Sequence, residues 1–200
     1  MATPVMHEIE PFSNWLKYYN SSEDSRSPFF EKAYNFDQYS DTIYGYYIDP
    51  AWDFMGSDTL YIKILYTDYA RGATIIEFLG EWNDTINNDI MHLKRNIIDE
   101  LLAAGISKFI LIGENIMNFH GSDDSYYEEW FDEVEDVEEK DIPGWIAAVS
   151  FPDFIQDELR KSRSDQYINR GGTLQISNWR TMHPRTFIDV VENLISRRLT

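Results

Sequence analysis

Residues 59–80, TLYIKILYTDYARGATIIEFLG, decide the fold. Two runs rich in β-branched and aromatic residues, TLYIKILYT and ATIIEFLG, flank a link of Asp68, Tyr69, Ala70, Arg71 and Gly72. Such runs joined by a short glycine-containing turn predict a β-hairpin. Downstream, Ile86, Ile90, Leu93, Ile97 and Leu101 recur at steps of three and four. That spacing predicts an amphipathic helix, opened by Asn83 or Asp84 as cap and closed by Gly105. KFILIGENI (108–116) is short, apolar and interrupted by glycine, and reads as a buried strand parallel to the one before the helix.

Residues 120–141, HGSDDSYYEEWFDEVEDVEEKD, follow. Tyr126, Tyr127, Trp130, Phe131, Val134 and Val137 sit at helical spacing, with carboxylates in most remaining positions. The stretch predicts an amphipathic helix with an acidic outer face, broken by Pro143 and Gly144. WIAAVSF then reads as another buried strand and PDFIQDELRKS as a helix started by Pro152. Gly171 and Gly172 lead into an expected strand TLQISNW, and His183 and Pro184 take the cap and first positions of a last helix. The order β-β-α-β-α-β-α-β-α predicts an α/β domain with a mainly parallel sheet and an initial hairpin, over residues 59–200.

Residues 1–58 hold 14 of the 31 aromatic residues, including Trp15, Tyr18, Tyr44, Tyr46 and Trp52. This is too aromatic for a disordered tail. It predicts an extension packing on the core, with a short helix near PFSNWLKYY and a strand at TIYGYYI; the alternative is an aromatic recognition surface for a peptide or sugar.

Two hundred residues fit one compact domain. The absence of cysteine removes disulfides and thiolate chemistry and fits a reducing compartment, so the cytoplasm is expected. No run approaches the roughly 18 apolar residues of a membrane span, and no membrane association is expected. The net charge of −18 repels phosphate backbones, which argues against nucleic acid as a partner. Residues 151–200, with 8 basic and 6 acidic residues, are the one region that would welcome an anion.

From residue 59 to about 198, the element order resembles the STAS fold of anti-sigma-factor antagonists and sulfate-transporter tails. LGEWND stands where that family has a strand, glycine and short polar turn, and NFHGSDDS stands where its turn carries a phosphorylatable serine. The resemblance implies a non-enzymatic module that docks onto a partner protein, with Ser122 and Ser125 as the modification candidates.

The residues themselves support three functional classes. A protein-interaction module would present Asp132, Glu133, Asp136 and Glu139 to a basic partner surface, with Tyr126, Tyr127 and Trp130 as desolvated anchors. A small-ligand binder or enzyme would use a pocket at the strand ends, made of Trp82, Asn83, Asp84, Glu114, Asn115 and His120. A self-associating homo-oligomer would set Arg180, Arg185, Arg197 and Arg198 against the acidic helix of the same or another copy. Glu77 shares a strand side with Ile75 and Leu79, so a raised pKa is expected if it is buried, or a pairing with Lys63 across the hairpin. No phosphate loop, nucleophile elbow or zinc spacing is present, and His7, His92, His120 and His183 are scattered. No catalytic residue, metal or cofactor is therefore expected.

Overall fold

A computed structural model describes residues 9–136 and 144–199, and the side chains up to Arg198. Its centre is a five-stranded sheet in spatial order β3-β4-β5-β6-β7, from β3 (Asp53–Phe54), β4 (Leu60–Asp68), β5 (Ala73–Asn83), β6 (Lys108–His120) and β7 (Trp145–Val149). The expected hairpin is β4–β5, with Leu60 opposite Gly80 and Asp68 opposite Ala73. Beyond it, β5 pairs with β6 and β6 with β7 in parallel.

The sheet is mixed and not mainly parallel. β3, a strand from the N-terminal extension, adds a second antiparallel pairing, to β4. The expected fourth parallel strand does not form either: TLQISNW lies in a 3₁₀ turn (Gly172–Leu174), an irregular stretch, and the start of another turn (Trp179–Thr181). Its apolar residues Leu174, Ile176 and Trp179 are buried as a strand's would be. A short apolar run signals burial but does not by itself fix the backbone, which is why periodicity misassigned it.

Both faces of the sheet are covered, so β4 and β5 are buried at almost every position. One face meets a helix of three segments, α1 (Asp89–Leu93), a π-helical turn (Lys94–Ile98) and α2 (Asp99–Ala103), then α3 (Ser125–Glu135) and α4 (Asp153–Lys161). Ile62, Ile76, Phe78, Phe109 and Leu111 pack there against Leu93, Ile97, Trp130 and Ile155. The opposite face meets α5 (Pro184–Leu199), where Ile75, Ile110 and Ile112 pack against Phe187, Ile188 and Val191.

The helix after β5 starts later than its periodicity suggests. Ile86 is 80% exposed and lies outside it, while Asp84 still caps from a distance, its Oδ1 accepting the Ile90 N–H at 2.8 Å. His183 does cap α5, its Nδ1 accepting the Arg185 N–H at 3.2 Å.

The N-terminal segment adds to the face that carries α5. PFSNWLKYY forms hydrogen-bonded turns and not a helix, and TIYGYYI forms a small hairpin, β1 (Thr42–Ile43) and β2 (Tyr46–Tyr47). Tyr44 and Gly45 at its turn both have positive φ, as a two-residue hairpin connection of this hand requires. Ile43, Ile48 and Trp52 pack on Tyr61 and Leu79, and Trp15 joins the core under α5. Gly80 at φ +118° permits the close approach of β5 to Thr59, whose carbonyl oxygen would lie 2.1 Å from any Cβ there.

Candidate functional site

The strand-end residues read together in the sequence do not make one pocket. Trp82 and Asp84 point into the helical side: Asp84 accepts the Trp82 indole N–H at 2.9 Å, the Tyr127 hydroxyl at 2.8 Å and the Ile90 amide. Burial pushes the Asp84 carboxyl up to about 6 against these donors. Its hydrogen bonds join β5, α1 and α3, which is a structural task. Glu114 belongs to the opposite face, where it accepts the Trp179 indole N–H at 2.8 Å and pairs with Arg180. Asn115 lies near Glu77, Nδ2 to Oε1 3.4 Å. His120 is exposed, its Nε2 2.9 Å from Asn118 and 3.6 Å from Glu81, which also accepts the Asn83 amide at 2.9 Å. The set is divided because Trp82 and Asp84 turn to the helical face, whereas a register shift between β5 and β6 leaves the neighbours Glu114 and Asn115 both near Glu77 and Arg180.

Helix α3 is amphipathic as expected, but its aromatic side chains are committed to the fold. Tyr127 and Trp130 are buried in the core, Tyr126 is half-buried against it, and neither buried ring is available to a partner. On the outer side Asp132 and Asp136 are exposed. Glu133 pairs with the fully covered Lys94 at 2.8 Å and Glu129 with Arg95 at 2.6 Å. Glu139 and Val137 lie outside the described residues. Ser122 is half-buried and Ser125 exposed, and the Ser125 amide and hydroxyl both donate to Asp123, holding that carboxyl below its usual range.

Among the described residues, the pairings of Arg180, Arg185 and Arg198 lie away from α3. Arg180 meets Glu114 and Glu77, Arg185 meets Asp68 at 3.2 Å, and Arg198 caps the Arg170 and Gly171 carbonyls. The acids of α3 are met instead by Lys94 and Arg95, which the long helix carries past them.

What the fold does assemble is a cavity of about 470 Å3 between the N-terminal segment and β4. Pro11, Phe12, Leu16, Phe36 and Ala51 give it apolar walls, and Lys63, Tyr34, Ser13, Asn20, Glu10 and Asp49 are its polar groups. Lys63 comes from the middle of β4, on the side shared with Tyr61 and Leu65. β3 pairs Asp53 with Ile62, which brings its carboxylate beside Lys63. Asp53 then holds Lys63 Nζ at 3.1 Å, Lys32 Nζ at 2.9 Å and the Tyr34 hydroxyl at 2.8 Å, with its own side chain fully buried. Lys63 also donates to the Tyr34 hydroxyl at 2.8 Å. Burial pulls the Lys63 ammonium below the ordinary lysine range, opposed by the Asp53 carboxylate. Burial and the same carboxylate push the Tyr34 hydroxyl well above its ordinary value.

Glu77 fixes the cavity wall. It stands opposite Lys63 in the register, yet the two do not pair: Lys63 turns to Asp53, and Glu77 accepts the backbone N–H of Phe12 at 2.8 Å, with Arg180 3.5 Å away. Burial pushes the Glu77 carboxyl up to about 7, against the pull of that N–H and of Arg180. The wall is held further by Phe12, Trp15 and Trp179, in edge-to-face contacts of 4.9 to 5.4 Å between centroids, and by the Trp15 indole N–H on the Met182 carbonyl at 3.0 Å.

A cavity of about 330 Å3 at the other end of the sheet is lined by Lys108, Asp189 and Glu192, whose charges already pair within the chain. No protein-family model matches the sequence, and no curated protein matches it. Sequence reasoning passed over Lys32, Tyr34 and Asp53. The available signal was Lys63 itself, a lone cation in the apolar run LYIKILY, where both faces of a strand were expected to be buried.

Proposed function

We propose that the protein is a small-ligand-binding α/β module whose site is the cavity between the N-terminal segment and β4. The observation that supports this is the placing of buried Lys63, bonded to half-buried Tyr34, at a partly apolar cavity whose volume is typical of small-molecule sites. A ligand that binds only the folded chain stabilises it by mass action. Screening metabolites for a rise in melting temperature therefore tests the reading, with Leu16→Glu as the control that fills the cavity mouth from a half-exposed position. Hits that persist in Leu16→Glu would count against this site.

A second reading, docking of the acidic face of α3 onto a basic protein surface in the manner of STAS modules, is supported by the exposure of Asp132 and Asp136. It now lacks Tyr127 and Trp130 as anchors, so it rests on charge and on half-buried Tyr126, and it predicts capture that falls steeply as salt rises. Modification at exposed Ser125 would cost its bonds to Asp123 and add charge beside existing carboxylates. Location in the cytoplasm and self-association belong to this proposal as well; among the described residues no helix is long and apolar enough to cross a membrane.

A further inference from the structure

We propose that the cavity takes a monocarboxylate with an apolar body, its carboxylate seated on Lys63. This rests on the ligand-binding reading above and names the chemistry of that same site. Among the described residues, Asp53 is the carboxylate within 4 Å of Lys63 and of Lys32, so two ammonium groups share one buried acid. Their bonds to Asp53 and Tyr34 account for two of the three N–H groups of Lys63. Lys63 is 6% exposed and keeps a donor to spare, and a group that both accepts a hydrogen bond and carries the opposite charge satisfies that donor best.

The rest of the lining limits which anion. Glu10 and Asp49 also face the cavity, and Asp49 is held by the Ala51 N–H at 2.7 Å. These two acids oppose a second negative charge. A phosphate monoester brings about two charges and three strong acceptor oxygens, which a single remaining donor does not satisfy. A carboxylate needs less. Its body would lie against Pro11, Phe12, Leu16 and Phe36, which offer no partner to a polar chain. At about 30 Å3 for a water-sized group, the volume holds on the order of a dozen non-hydrogen atoms, the size of a phenyl-substituted short-chain acid.

Isothermal titration of the full chain with 4-phenylbutyrate, 4-phenylbutyramide and 4-phenylbutylamine tests this, because the three share one body and differ in the head group. The expected result is saturable binding of the acid at one site, at least tenfold tighter than of the amide, with no binding of the amine. Lys63→Met should weaken the acid at least tenfold and leave Lys32 and Asp53 paired one to one, which protects the fold. Leu16→Glu, at a position that is 52% exposed, should abolish binding without touching the buried cluster. Equal affinity for acid and amide, or unchanged acid affinity in Lys63→Met, overturns the carboxylate assignment while leaving the cavity as a site. Failure of all three probes to bind the unaltered chain overturns the assignment, and indifference of every bound probe to Leu16→Glu overturns the site itself.

Discussion

Glu77 makes the stability of this protein depend on pH in a direction opposite to ordinary acid denaturation. Its carboxyl rises from an ordinary value of 4.5 to about 7 on folding, so the folded chain holds a proton that the unfolded chain releases. A group with a raised folded pKa contributes stability that is fully present below the unfolded value and lost as pH rises through the folded one. At about 1.4 kcal/mol for each pH unit between the two values, the contribution of Glu77 declines by about 3 kcal/mol from pH 4.5 to pH 8. Glu77→Gln keeps an oxygen for the Phe12 N–H and removes the titration. The measurement is urea unfolding of both chains, followed by tryptophan fluorescence, across that range. Subtracting the two curves cancels every group that they share, Asp84 included. The unaltered chain should lose ground to Glu77→Gln steadily as pH rises. A difference constant to within about 0.5 kcal/mol, or one that grows in favour of Glu77 at high pH, would refute the argument that burial outweighs the pull of Arg180 and the Phe12 amide.

Trp130 is fully buried, edge-to-face with Phe109 at 5.1 Å, so Trp130→Ala should cost about 3–5 kcal/mol in chemical unfolding; a cost below 1 kcal/mol would return the side chain to the surface role first expected of it. The acidic positions of α3 should separate in the same assay, Asp132→Asn staying within about 0.5 kcal/mol of the unaltered chain and Glu133→Gln losing about 1 kcal/mol, because Glu133 holds a covered lysine at 2.8 Å. Equal effects at the two positions would mean that Lys94 gains nothing from Glu133. The acid-stabilising trend should extend to Asp84, raised to about 6, so that Asp84→Asn, measured against the unaltered chain, flattens the curve between about pH 4 and pH 6 while weakening the α1 cap; an unchanged slope there would show that Asp84 titrates normally.

The candidate site was legible in part. Strand alternation put Glu77 on the side of Ile75 and Leu79, and a raised pKa followed only on the condition that this side was buried, which the N-terminal segment decides. Its neighbour across the hairpin was legible too, since the register sets Lys63 opposite. Their failure to pair was not legible, because the choice of Asp53 by Lys63 depends on a two-residue strand contributed from outside the regular core. The strand-end constellation failed for a related reason: Trp82, Asp84 and Glu114 are close along the strand ends but point to opposite faces.

By itself the sequence determined the hairpin at residues 59–80, the alternation of helix and strand after it as far as WIAAVSF, and the apolar stripes that seat α3 and α5. These follow from periodicities of 2 and 3.6, which local geometry enforces. The tertiary structure alone decided that the sheet is mixed, that TLQISNW is buried without a ladder, and that Lys32, Tyr34, Asp53 and Lys63 meet at a cavity floor. Burial preference tells a residue to leave water and its periodicity tells it which face to take, but neither names the partner that waits there. That pairing is set by the path of the whole chain.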